Sequence, residues 1–312
     1  MITKKVLTVA VFFSLFFLSS APTASAFGDN NRYFVRTSSS FVRKAIGNVR
    51  FDFDKGFSAE LTPFQVKVAR MFGAEVILLK PLHISALNEY PLARGSAVSP
   101  QSGGLAVTVA VLDTGVAKHP DLNEHVAGCK DFTLMRVSQD SCADRNGHGT
   151  HVAGILVSQA SDISMRVYKV CDDKGNCFPD DVAQAINDAT KEKADIILIG
   201  FGSESPSDLI ASAIANGVKQ NISFVAAAGN GGPYPDSVEY PAALADVISV
   251  GAMDQNGKIT EWSSRPAEVL APGDRIESAW LDGKYKILSG TSMAAPYIAG
   301  RTARMLSERA TR

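Results

Sequence analysis

Apolar positions along the second two-thirds of the chain fall into short continuous runs. Residues 107–112, 196–199, 222–228 and 247–252 are such runs, and 163–170 contains another. Runs of this kind suit strands buried on both faces. Between them the spacing turns helical, from Asp180 and Asp181, read as caps, to about Glu192, and again over 209–218. Strands alternating with helices predict an α/β domain, with a mostly parallel sheet and helices on both faces. Binding sites in such sheets lie beyond the carboxyl ends of the strands.

The first third of the chain has a different rhythm. Residues 33–35, 49–53, 56–61 and 75–79 read as strands, and 39–46 as a helix. Thr62, Pro63 and Gln65 mark the start of a second helix as N-cap, N1 and N3. The order βαββαβ predicts a small ferredoxin-like α+β unit over residues 27–82. Residues 83–104 carry Pro, Ser and Gly without a period and read as a linker or processing region. The larger domain then spans 105–312.

At the N-terminus, Lys4 and Lys5 precede an apolar run, and Ala24-Ser25-Ala26 follows it. This predicts a secretory signal peptide over 1–26, cut after Ala26. No other stretch is long and apolar enough to cross a bilayer. The expected location is extracellular, or periplasmic in a diderm bacterium.

Composition changes this picture little. The 312 residues are 46% hydrophobic and 20% charged, with a net charge of −1. No global field argues for nucleic acid or an anionic membrane, and a monomer is expected. Export makes disulfides feasible. Four cysteines allow three pairings, of which Cys129–Cys142 and Cys171–Cys177 is the simplest, since each pair brackets a polar, turn-rich loop. A crosslink closing a loop of about 15 residues contributes roughly 3 kcal/mol in the chain-entropy model.

Four features carry candidate chemistry. Asp113 ends the apolar run 107–112, where a carboxylate needs a partner or serves as a turn former before Thr114-Gly115. His148 and His151 lie on a glycine-flanked turn entering a helix, with His148 expected at its exposed start and His151 one turn in, packed. A metal reading of this pair lacks a third ligand, and Gly149 sits where a His-Glu-x-x-His motif has its base. Ser292 opens a helix among small residues, as a cap or as a hydroxyl set at a helix N-terminus. Asn230 follows a strand and a glycine, as a turn residue or as a donor to a developing oxyanion.

Together these features resemble the subtilisin-like serine proteases. The motifs are Val-Leu-Asp113-Thr-Gly, Gly-His148-Gly-Thr-His-Val-Ala-Gly, Ala-Ala-Gly-Asn230 and Gly-Thr-Ser292-Met-Ala-Ala-Pro, in an order typical of that family. Residues 56–62 resemble the family's inhibitory propeptide. The resemblance implies a serine endopeptidase with Asp113, His148 and Ser292 as its triad. Asn230 and the Ser292 N–H are implied as its oxyanion hole. It also implies a self-processed zymogen whose propeptide acts as chaperone and inhibitor, and polypeptide substrates. Gly200-Phe201-Gly202 matches a Ser-Leu-Gly segment that pairs with extended substrate. Ala227, Ala228 and Gly229 wall the primary pocket opposite backbone near Tyr240-Pro241. Small uncharged walls predict a preference for apolar or large neutral side chains.

The chain departs from the family pattern in three places. The inserted calcium-binding loop is missing between His148 and Lys169, leaving Asp121 as the single familiar ligand; one carboxylate is a poor calcium cage, so no cofactor is expected. Tyr297-Ile298 replaces His-Val. The chain ends 20 residues after Ser292, so the helix bearing Ser292 is expected to be its last element. The alternative reading is a protease-like scaffold that binds without turnover.

Overall fold

The computed structural model describes residues 31–84 and 107–310, and the backbone of 87–90. The signal peptide expected at 1–26 and most of the 83–104 region lie outside the described residues.

The first unit consists of β1 (Arg32–Arg36), α1 (Ser40–Ile46), β2 (Val49–Phe53), β3 (Gly56–Glu60), α2 (Pro63–Met71) and β4 (Glu75–Leu78). Its sheet runs β2-β3-β1-β4, the ferredoxin-like arrangement. Local chemistry sets both helix starts. Ser39 accepts from the Val42 N–H. Thr62 and Gln65 satisfy each other's backbone in a capping box, with Pro63 just inside. Val35, Val42, Ile46, Phe57, Val66 and Val76 close a small core between helices and sheet. Phe51 faces away from it and joins the core of the larger domain, close to Phe132.

Two strands follow where the sequence reads as linker: β5 (Leu82–Ile84) and β6 (Leu87–Tyr90). Their pairing partners lie far along the chain, so no local pattern announces them. The larger domain continues with β7 (Val107–Asp113), β8 (Val126–Asp131), β9 (Ser138–Gln139), α3 (His148–Gln159) and β10 (Ile163–Lys169). Next come β11 (Asn176–Cys177), α4 (Pro179–Lys191), β12 (Ile196–Ile199), β13 (Phe201–Gly202), α5 (Asp208–Val218) and β14 (Ser223–Ala227). Last are β15 (Val247–Met253), β16 (Val269–Pro272), β17 (Ile276–Ala279), β18 (Tyr285–Ser289) and α6 (Thr291–Ala310).

Eight strands form the main sheet, in the order β16-β15-β14-β12-β7-β10-β8-β9. Every pairing is parallel except β8 with β9. The apolar runs are explained by burial on both faces. Val107, Val109 and Val111 of β7 pack with α3 and α6, whereas Ala110 and Leu112 pack with α4 and α5. Close approach of α3 and α6 depends on Gly300, where a Cβ would lie 2.5 Å from the Gln159 Cβ. Tyr297 and Ile298 pack against the same core.

Connections leave β7 toward β8 and β10 on one side, and β12, β14 and β15 extend on the other. The crevice therefore opens at the carboxyl ends of β7 and β12. Two small sheets flank it. One has the order β11-β5-β13 and the other β17-β18-β6. In both, a strand from the stretch after the first unit is added to strands of the larger domain.

Asp180 and Asp181 do not cap α4. Phe178 holds the cap position without a side-chain bond, and Pro179 opens the helix. Both aspartates instead meet arginines of the first unit. Arg32 Nη1 lies 2.5 Å and Arg50 Nη2 2.8 Å from Asp181 carboxylate oxygens. Arg50 Nε lies 3.4 Å from Asp180. Charge pairing over a long sequence distance has overridden the local capping preference. Burial and the adjacent Asp180 push the Asp181 carboxyl up to about 7, against the pull of Arg32 and Arg50.

Candidate active site

Asp113 is the last residue of β7, and His148 the first of α3, so strand end and helix start meet at the crevice. Asp113 Oδ1 lies 2.7 Å from His148 Nδ1, and both side chains are buried. A carboxylate only accepts, so Nδ1 carries the proton and Nε2 keeps a lone pair. Burial disfavours the imidazolium, but the charge and hydrogen bond of Asp113, with the charge of Asp144, outweigh it and raise the pKa above the ordinary histidine value. His148 is not at an exposed helix start. It is 1% exposed, because the segment after β12 packs over it: a Cβ on Gly200 would lie 3.3 Å from His148 Cε1 and 2.6 Å from Asp113 Oδ2.

The start of α3 is held by a residue that the sequence reading overlooks. Asp144 Oδ1 accepts from the N–H groups of Asn146 and Gly147 and from the Thr114 hydroxyl. Its Oδ2 accepts from the Thr150 N–H and hydroxyl. Thr114 in turn accepts from the Gly149 N–H. This network clamps the first turn of α3 to the end of β7. Gly147 takes φ 101° at the cap, and a Cβ there would lie 2.5 Å from the Trp280 ring. The only local signal for Asp144 is a polar residue shortly before Asn146-Gly147.

Ser292 lies in the first turn of α6, buried, with its Oγ donating to the Gly200 carbonyl at 2.6 Å. Gly200 therefore accepts the Ser292 hydroxyl on its carbonyl and leaves no room for a side chain beside Asp113 and His148. His148 Nε2 is buried without a hydrogen-bond partner. Asn230 follows β14, and its Oδ1 accepts from the Thr291 N–H at 3.0 Å and from the Thr291 hydroxyl at 3.1 Å. Only an oxygen can accept from an N–H, so the amide orientation is fixed by chemistry, with the NH₂ end turned away from Thr291. His151 lies apart from this group. It is buried, its Nε2 bonds the Lys286 carbonyl at 2.9 Å, and burial above all holds its pKa near 3, so it stays neutral.

Residues 104–311 match the family model described as Subtilase family, Peptidase_S8. The chain belongs to the subtilase family. The subtilisin of Bacillus sp. (strain TA39) is 37% identical over 249 residues, which cover 68% of this chain and 59% of that protein. The major intracellular serine protease of Bacillus subtilis (strain 168) is 37% identical over 217 residues, 64% of this chain and 68% of that one. Among solved structures, Sphericase superposes with a TM-score of 0.64 at 36% identity, covering 69% of this chain and 81% of that one. The S41 psychrophilic protease gives 0.61 at 37% identity, covering 67% and 80%.

In this subtilase a three-stranded sheet lies beside the residues of this site. β5 pairs antiparallel with β13, Phe201 opposite Ile84 and Gly202 opposite His83. On its other edge β5 pairs with β11. The Cys171–Cys177 disulfide ties β11 back to the end of β10, and Cys129–Cys142 links β8 to the loop before α3. Of Gly200, Phe201 and Gly202, the last two form this pairing, and backbone pairing of this kind makes little demand on the sequence of the paired strand.

Ala227, Ala228 and Gly229, expected to form an uncharged wall, have a carboxylate beside them, and Gly202 stands across it. The carboxylate is that of Glu239. A Cβ on Gly202 would lie 2.5 Å from Glu239 Oε2, and one on Gly229 2.5 Å from its carboxyl carbon. Its N–H donates to Ala228 O, and Tyr240 exchanges backbone bonds with Ser203. The segment that begins at Glu239 thus straps both walls together. Burial pushes its carboxyl above the usual range, with the Asn230 N–H opposing and Glu204 adding to the rise. The sequence signal was the residue before Tyr240, ten positions from the wall it meets.

Asp121 Oδ2 accepts from the Tyr285 hydroxyl at 2.7 Å. Among the described residues no group of three or more His, Cys, Asp or Glu side chains could hold a metal.

Proposed function

We propose that this chain is a secreted serine endopeptidase, made as a zymogen that processes itself. The observation that carries the reading is the buried 2.7 Å Asp113–His148 bond beside a serine hydroxyl that shares the Gly200 backbone with it.

In the reaction, Ser292 Oγ turns from the Gly200 carbonyl toward His148 Nε2 and gives up its proton there. A bond forms between Oγ and the scissile carbonyl carbon. The carbonyl oxygen becomes an oxyanion, stabilised by the Asn230 amide and the Ser292 N–H. His148 then passes its proton to the leaving nitrogen as the C–N bond breaks, leaving an ester on Ser292. Water, deprotonated by His148, attacks that ester and regenerates the hydroxyl. Asp113 holds the ring and stabilises its cationic form without itself taking the proton.

The first unit serves as a propeptide, both chaperone and inhibitor. Support comes from β5 lying as a third strand between β11 and β13, and from Arg32 and Arg50 reaching Asp180 and Asp181. β6 pairs with β18, the strand that leads into the nucleophile helix. The processing bond accordingly falls between Ile84 and Leu87. Export through the N-terminal signal peptide fits a chain with two disulfides. Among the described residues no helix is long and apolar enough to cross a membrane. The expected substrates are polypeptides, and the mature enzyme acts as a monomer. Expression of the full chain tests this. The wild type should split into two fragments and then cleave casein, while Ser292→Ala should remain a single chain without caseinolytic activity. An intact wild type that binds casein without cutting it would favour the binding scaffold.

A further inference from the structure

Glu239 has a charge that the described protein does not neutralise. It stands half-buried between Gly202 and Gly229, and among the described residues no lysine, arginine or histidine forms an ion pair with it. Glu204 adds charge of the same sign nearby. Among the described residues the carboxylate accepts from the backbone N–H of Asn230. A carboxylate removed from water needs a cation or several donors.

Its position says where that cation comes from. In the β5–β13 ladder, His83 stands opposite Gly202 and Ile84 opposite Phe201. The next position along β13's edge is Gly200, whose carbonyl is the one bonded to Ser292 Oγ. A substrate residue opposite Gly200 therefore supplies the carbonyl that Ser292 attacks. Its side chain would point toward Gly202 and Gly229, between which the Glu239 side chain packs in this structure. Both walls lack a Cβ, and the carboxylate of Glu239 lies across them.

We infer that Glu239 forms the base of the primary pocket and selects substrates with lysine or arginine on the acyl side of the scissile bond. The inference rests on the endopeptidase reading above. A lysine ammonium or arginine guanidinium lowered between the two glycines would meet Glu239 in a charge-assisted bond, with Glu204 strengthening the attraction. Apolar side chains would leave the carboxylate desolvated and unpaired. The chain's own processing bond is held in the groove by β5 and β6, so proximity replaces pocket binding there.

The test uses the self-processed full-length product and a series of chromogenic tetrapeptides that differ only at the residue before the cleaved bond: lysine, arginine, phenylalanine, leucine or glutamate. Rates are taken per active site, titrated with a fluorophosphonate. The wild type should favour lysine or arginine over phenylalanine in kcat/KM. Glu239→Gln should lower that ratio by roughly 10- to 100-fold. Glu239→Lys should move the preference toward glutamate. A labelled, active wild type that prefers phenylalanine or leucine, with the ratio unchanged in Glu239→Gln, overturns the inference and leaves the peptidase reading standing. Failure to label and failure to cleave any peptide overturns both.

Discussion

Asp113 and His148 share a buried hydrogen bond of 2.7 Å that fixes the imidazole tautomer and raises its pKa. The proposed base must be neutral to act. Activity should therefore fall as pH drops through a value above the ordinary histidine pKa of about 6.5. The effect on stability runs the other way. A raised folded-state pKa contributes stability that is fully present below the unfolded value and is lost as pH rises through the folded one. In a kcat/KM profile, Asp113→Asn should cut the rate by about 10⁴-fold and move the acidic limb of its residual activity to lower pH. An unmoved limb would mean that Asp113 does not set the base.

Asn230 is anchored by its oxygen to Thr291, leaving its NH₂ end as the donor. Replacing it by alanine should reduce kcat by about 10²- to 10³-fold with KM little changed. Steady-state kinetics on a peptide ester and a peptide amide would check this, and unchanged turnover would remove Asn230 from the oxyanion hole.

Asp144 satisfies three backbone N–H groups and two hydroxyls around the first turn of α3. Asp144→Ala should destabilise the domain by about 3 kcal/mol, since buried donors lose their acceptor. Because Asp144 also helps raise the His148 pKa, the acidic limb should move to lower pH in this variant. Denaturant unfolding and a pH profile together separate positioning from bulk stability: a stability loss with an unshifted limb would restrict Asp144 to a structural role.

Arg50 and Asp181 are each 1% exposed in their side chains and pair at 2.8 Å across the two units. Breaking a buried pair by removing one partner costs about 3–5 kcal/mol. After self-cleavage, the wild-type fragments should co-elute in gel filtration, whereas Arg50→Ala fragments should separate. Co-elution of both would place the affinity elsewhere, in the β5 ladder.

Much of the architecture was legible because its signals are local. The apolar runs of β7 and β12, the Thr62–Gln65 capping box and the succession of strands and helices along the first unit follow from neighbours within a few residues. The placement of Asp113, His148, Asn230 and Ser292 at or next to element ends was legible for a different reason: each sits in a short motif. What was not legible depends on partners far along the chain. β5 and β6 are strands only because β13, β11 and β18 accept them. Asp180 and Asp181 would cap a helix in isolation, yet arginines 131 to 149 residues away recruit Asp181. Glu239 was missed because it belongs to a different loop from Gly202 and Gly229, which it meets.

The central claim is that Ser292 is the activated nucleophile. Reaction of the self-processed enzyme with a fluorophosphonate, followed by peptide mass spectrometry, tests it most directly. The predicted result is one phosphonyl adduct, on the peptide containing Ser292, formed with loss of activity and abolished in His148→Ala. An inactivating adduct on any other residue, or full activity with Ser292 modified, would contradict it.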